Sequence, residues 1–165
     1  MRKLIAVTVA AMTIALLALW LVPASSQPAS RHVTLQVFDS EKTGYEKNVD
    51  VGKKGFSPGD EFLAVDPLLN PDTCKKAGTS ITRGTVIRQL GNRNGNFLFD
   101  GTLRLPAGRL TFEFGGRFSE FSKRIEVPVT GGSGAFDGAT GQGTATRGKR
   151  CGEPGELISL DVSVR

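Results

Sequence analysis

Apolar and polar positions alternate with period two along most of the chain, and beyond residue 24 no segment holds a 3.6-residue period over two helical turns. The pattern predicts strands. Val33, Leu35 and Val37 share one face of a first strand, and Glu61 to Val65 forms a second after the breaker Ser57-Pro58-Gly59. A third spans about Thr79 to Leu90. In the fourth, Phe97, Phe99, Leu103 and Leu105 lie opposite Asp100, Thr102 and Arg104, and Gly101 suggests a bend. Pro106-Ala107-Gly108 turns into a fifth strand, where Leu110, Phe112 and Phe114 face away from Arg109, Thr111 and Glu113. Ile125 to Val129, about Ala139 to Arg147, and Leu157 to Val164 complete eight strands. Evenly spaced antiparallel strands with short turns predict a closed up-and-down barrel or a sandwich, and closure hides the unpaired edges.

The first 24 residues are set apart from this pattern. Arg2 and Lys3 precede an uncharged apolar run from Leu4 to Val22, and Pro23-Ala24-Ser25-Ser26 follows. That layout predicts a signal peptide over 1–24, cleaved after Ala24, then a short linker over 25–31 and one domain over 32–165. The alternative is an uncleaved membrane anchor, since about 20 apolar residues span a bilayer. Secretion is the expectation, with membrane association only through an uncleaved segment. Removing Arg2 and Lys3 from the 21 basic residues leaves 19 against 16 acidic ones, so the net charge falls from +5 to +3. Lys75-Lys76 and Arg147 to Arg150 are the basic clusters, and neither interleaves with aromatics as a nucleic-acid surface does. No nucleic-acid partner is expected.

Val129-Thr130-Gly131-Gly132-Ser133-Gly134-Ala135-Phe136-Asp137-Gly138-Ala139-Thr140-Gly141 is the most distinctive stretch. It has no phosphate-loop spacing, and no helix follows whose amino terminus would receive a phosphate. It resembles the glycine-rich turn of the allene oxide cyclase and dirigent-protein barrels. Gly59-Asp60, Asp66-Pro67-Leu68, Lys75-Lys76-Ala77-Gly78 and Leu105-Pro106-Ala107-Gly108 fall in that superfamily's order. The resemblance implies an all-β, eight-stranded antiparallel up-and-down barrel with an apolar interior. Glycines there permit positive φ and close backbone approach, while Phe136 plugs one barrel end and is a candidate ligand contact.

A charge in an apolar strand register is costly unless a site uses it. Asp39 continues the face of Val33, Leu35 and Val37, and by the resemblance it stands where the cyclases carry a functional glutamate and dirigent proteins an aspartate. It is the candidate catalytic acid or base; the alternative is a solvated residue at the rim. Asp66 stands where the cyclases have a cavity asparagine, although Asp-Pro also begins turns. Arg83 shares a register with Ile81, Thr85 and Ile87, so either it enters the cavity or all four face outward. Asp66 and Arg83 join Phe136 as candidate ligand-binding residues. The superfamily's strand-three cysteine maps to about Gly84, and Thr140 replaces an arginine of the glycine motif, so allene oxide cyclisation is not assigned.

One histidine, His32, and two separated cysteines leave no catalytic triad or zinc site, and no metal or other cofactor is expected. Cys74 and Cys151 fall in predicted loops, which favours a disulfide in an exported chain. A simple eight-strand meander places those loops at opposite ends, too far apart to bond, unless Asn48 to Val51 adds a short strand. The expected partner is a small hydrophobic molecule held or steered in the barrel. An isomerase or cyclase using Asp39, and a filled barrel acting through its surface, are the alternatives. The Phe-rich fourth and fifth strands are a candidate interface for a homo-oligomer.

Overall fold

The computed structural model describes residues 30–91, 94–122 and 124–165, so the expected signal segment over 1–24 lies outside the described residues. Nine strands form one antiparallel sheet: β1 (Arg31–Ser40), β2 (Tyr45–Val49), β3 (Glu61–Leu69), β4 (Lys76–Gly91), β5 (Asn94–Leu105), β6 (Gly108–Arg117), β7 (Arg124–Gly134), β8 (Thr140–Arg150) and β9 (Glu153–Val164). Their order is β1-β9-β8-β7-β6-β5-β4-β3-β2, and a β1–β3 pairing closes eight of them into a barrel. A 3-10 turn over Phe118–Ser122 links β6 to β7. The ninth strand is a continuation. Phe38 and Asp39 of β1 pair with Leu69 and Leu68, the chain breaks at Glu41 to Gly44, and β2 then resumes along β3 from the Tyr45–Val65 pair. The extra strand thus begins earlier than Asn48, and it is the far half of a divided first strand.

The alternation predicted from sequence settles which side chains fill the barrel. Val37, Leu103, Leu110, Ile158, Leu160, Val162 and Val164 are buried together at its core. Burial of each such side chain is worth about 2 kcal/mol relative to exposure. At one end, Ala135 N–H donates to the Ala107 carbonyl at 2.9 Å and Ala139 N–H to the Phe136 carbonyl at 3.0 Å, which folds the turn back over the opening. Gly134 and Gly138 adopt φ of +68° and +64° to do so. The turn delivers Phe136 into the packed core, where it closes that end.

Cys74 and Cys151 are joined, with Cα atoms 5.5 Å apart. The objection from a simple meander ignores strand stagger. A closed barrel requires the hydrogen-bond register to shift around its circumference. Here the lower end of β3 reaches the upper end of β1: Asp39 has Leu68 on one side and Glu156 on the other. The β3–β4 and β8–β9 connections therefore meet across the end of β1. Arg150 reinforces the junction, donating to the Pro71 carbonyl at 2.9 Å and facing Asp72 at 3.7 Å. Beneath it Phe38 and Ser40 are fully covered, and Ser40 Oγ donates to Glu153.

Candidate functional site

The half of the barrel away from Phe136 is hollow. Its cavity has a volume of about 690 Å³ and opens beside β2 and the β2–β3 loop, where Asp50, Gly55 and Asp60 form the rim. Asp60 organises that rim by accepting from Val51 N–H at 2.8 Å and from Ser57 N–H at 2.6 Å. These bonds, the Val51 one foremost, hold its carboxyl below the ordinary value.

One wall is aromatic because β5 and β6 both direct phenylalanines inward. Ring centroids run from Phe118 to Phe97 at 5.4 Å, Phe97 to Phe99 at 5.6 Å, Phe99 to Phe114 at 5.4 Å and Phe114 to Phe112 at 6.1 Å. Phe56, from the β2–β3 loop, lies 5.5 Å from Phe97 at the mouth. These separations suit offset and tilted packing of rings. The phenylalanines that made these strands a candidate interface line the inside of the barrel. The outer apolar row runs instead through Tyr45, Val65 and Ile81, which are register neighbours on β2, β3 and β4.

The wall across the barrel is acidic. β1 stands four places from β6 around the eight-strand ring, so residues on β1 and its neighbours β9 and β3 face the phenylalanines. Asp39 lies directly opposite Glu156 in the β1–β9 register and one inward step from Asp66 across β3. All three line the cavity. Burial raises the Asp39 carboxyl to about 7, the neighbouring Asp66 charge adds to the rise, and a hydrogen bond from Ser80 opposes it. Burial also lifts Asp66 to about 6, with Glu46 and Glu41 contributing. Glu156 is raised by burial as well, only partly offset by Arg147. Arg147 is itself engaged by Glu41 at 2.9 Å. The Oδ1 atoms of Asp39 and Asp66 are buried without a hydrogen-bond partner, a costly state for a carboxyl. Asp66 Oδ1 presses against Gly44 so closely that a Cβ there would lie 1.5 Å from it, so any larger residue at the β1–β2 break would displace the carboxyl.

Asp39 and Asp66 are thus brought together, and Asp66 sits within β3 rather than at a turn, which begins only after Leu69. Arg83 does not enter the cavity. It faces outward and bonds Asp100 at 3.0 Å, because β4 turns Ser80, Thr82, Gly84 and Val86 inward and leaves Ile81, Arg83, Thr85 and Ile87 outside. Phe136 belongs to the packed end and does not line the cavity, so it is a structural plug and not a ligand contact. Glu156 was missed by the sequence reading. Its signal was present, since it continues the Ile158, Leu160, Val162 and Val164 register as Asp39 continues that of β1. Among the described residues no group of three or more His, Cys, Asp or Glu could hold a metal ion.

No protein-family model matches the chain, and no curated protein sequence matches it. Solved structures do. A pyocyanin demethylase aligns with a TM-score of 0.63 at 21% identity, over 79% of this chain and 99% of that one. A Diels-Alderase from Streptomyces koyangensis aligns at 0.62 and 12% identity, over 86% and 72%. A pterocarpan synthase dirigent protein aligns at 0.57 and 16% identity, over 87% and 94%. At such identities the likeness is one of fold, and the chain shares the barrel fold of these proteins.

Proposed function

We propose that this protein is exported and holds a small hydrophobic molecule in its barrel, binding it in a fixed orientation or steering its reaction. The cavity of about 690 Å³ carries this reading, because it has the size and largely apolar lining of a small-molecule site. Fold neighbours whose names denote demethylation, cycloaddition and pterocarpan synthesis support a barrel that handles small organic molecules. The Cys74–Cys151 bond and the apolar run before Pro23 support export to an oxidising compartment. The neutral fluorophore N-phenyl-1-naphthylamine tests the cavity. Saturable binding at one site per chain is expected, with loss of that binding in Ala145→Trp, which fills the cavity between Ile125 and Ile158. Absence of saturable binding to the unmodified protein would overturn the proposal.

A second reading, an isomerase or cyclase, is favoured by one observation. Asp39 lines the cavity with its carboxyl raised to about 7, so it is divided between its two forms at neutral pH and can give or take a proton there.

A further inference from the structure

We propose that the cavity selects a flat aromatic molecule carrying a positive charge, seated with its ring system on the phenylalanine wall and its charge toward Asp39, Asp66 and Glu156. This inference rests on the cavity reading above and names the chemistry of its ligand. Eight of the lining side chains are carboxylic acids, and Arg147 is the sole basic one among the described residues. Arg147 is committed to Glu41. Arg147 offsets Glu156 only in part, and among the described residues no cation acts on Asp39 or Asp66. Asp66 lines the cavity while only 8% exposed, and its Oδ1, turned against Gly44, has no partner.

The chemistry of each ligand class can be weighed in turn. A neutral molecule filling the cavity would strip water from the three carboxyls without compensating them, which is costly. An anion would add repulsion to that cost. A cation offsets the desolvation with direct attraction, in surroundings of lower effective dielectric than bulk water. The opposite wall favours the same charge, since the faces of Phe97, Phe99, Phe112 and Phe114 are the negative ends of ring quadrupoles and attract cations within about 6 Å. Both walls thus select one sign, and the ladder of rings selects a planar shape.

Protonation gives a further readout. The titratable groups facing the cluster are Glu41 after β1, Glu46 on β2, Arg147 on β8, and Asp39, Asp66 and Glu156 themselves. β4 contributes only the neutral Ser80 and Thr82 there, and β5, β6 and β7 only apolar side chains. Cation affinity should rise with pH as Asp66 and Asp39 ionise, at about 6 and about 7, and the bound cation should lower both values.

Three tricyclic probes of similar size test the proposal by fluorescence titration of the unmodified protein at about pH 8: 10-methylacridinium, acridine, which is uncharged there, and 9-anthracenecarboxylate. The expected order is methylacridinium tighter than acridine by about tenfold or more, with the carboxylate weakest. Methylacridinium should also weaken by about tenfold between about pH 8 and pH 5. Equal binding of acridine and methylacridinium would overturn the cation inference and leave the hydrophobic cavity standing. Binding of none of the three would overturn both. Asp66→Asn combined with Glu156→Gln should erase the charge preference while acridine still binds. Persistence of the preference would show that this wall is not its source, again overturning the inference.

Discussion

Replacing Asp39 by asparagine keeps the side chain's size and its ability to hydrogen-bond Ser80 while removing the charge. The folded carboxyl titrates at about 7 against 3.8 ordinarily, so between those values the native state holds a proton that the unfolded chain has released. Asp39's contribution to stability therefore falls as pH rises from about 4 to about 7, and the loss persists above that range. The interval corresponds to a ceiling of about 4 kcal/mol. Asparagine recovers only part of it, because its buried amide still lacks a full set of partners; a gain of about 2 kcal/mol at about pH 8 follows, and about none at pH 4. Urea unfolding of both proteins across this range measures the difference directly. An equal effect at both ends, or a loss of about 2 kcal/mol at pH 8, would refute the buried-carboxyl reasoning and make Asp39 a hydrogen-bonding anchor instead. The same variant separates the two functional readings. A catalytic Asp39 predicts lost turnover with ligand affinity largely retained.

Three other perturbations probe separate parts of the barrel. Serine at Cys74 and Cys151 releases a covalent loop spanning 77 residues, and the chain-entropy relation gives a loss of about 4 kcal/mol, read by denaturant titration. Phe136→Ala should cost about 3 kcal/mol or more in unfolding free energy while leaving probe affinity in the cavity unchanged, because the ring packs at the closed end. Gly44→Ala places a methyl group where Asp66 Oδ1 lies, so the carboxyl must swing away, and nuclear magnetic resonance titration should find the Asp66 pKa shifted from about 6.

The strands that were legible are those whose two faces differ in polarity. Leu110, Phe112 and Phe114 oppose Arg109, Thr111 and Glu113, and β6 is oriented as that contrast requires. β4 was illegible for the converse reason. Its inward side is small, with Gly84 and Gly101 of the adjacent β5 leaving space for the rings of Phe99 and Phe112, so its larger apolar residues lie outside. Period two identified the strand, but hydrophobicity alone gave it no direction. Asp39 was found as a charge in an apolar register; its partners were not, because Glu156 reaches it through pairing of the first and last strands and Asp66 through the closing seam. Such proximities depend on stagger around the whole barrel, which local patterns do not encode. The cysteine pair has the same origin.

The β1 pairing also constrains the order in which the barrel can form. Each of β3 to β9 finds a partner in the strand just before or after it, whereas β1 has only two paired positions on β3 and ten on β9, beginning with Arg31 opposite Val164. Contacts this distant in sequence are the slowest to form. A chain growing from its amino terminus therefore carries β1 as an open edge until β9 has been made, so the strand bearing Asp39 is the last stave to be fitted, and the acidic wall is assembled only when it docks.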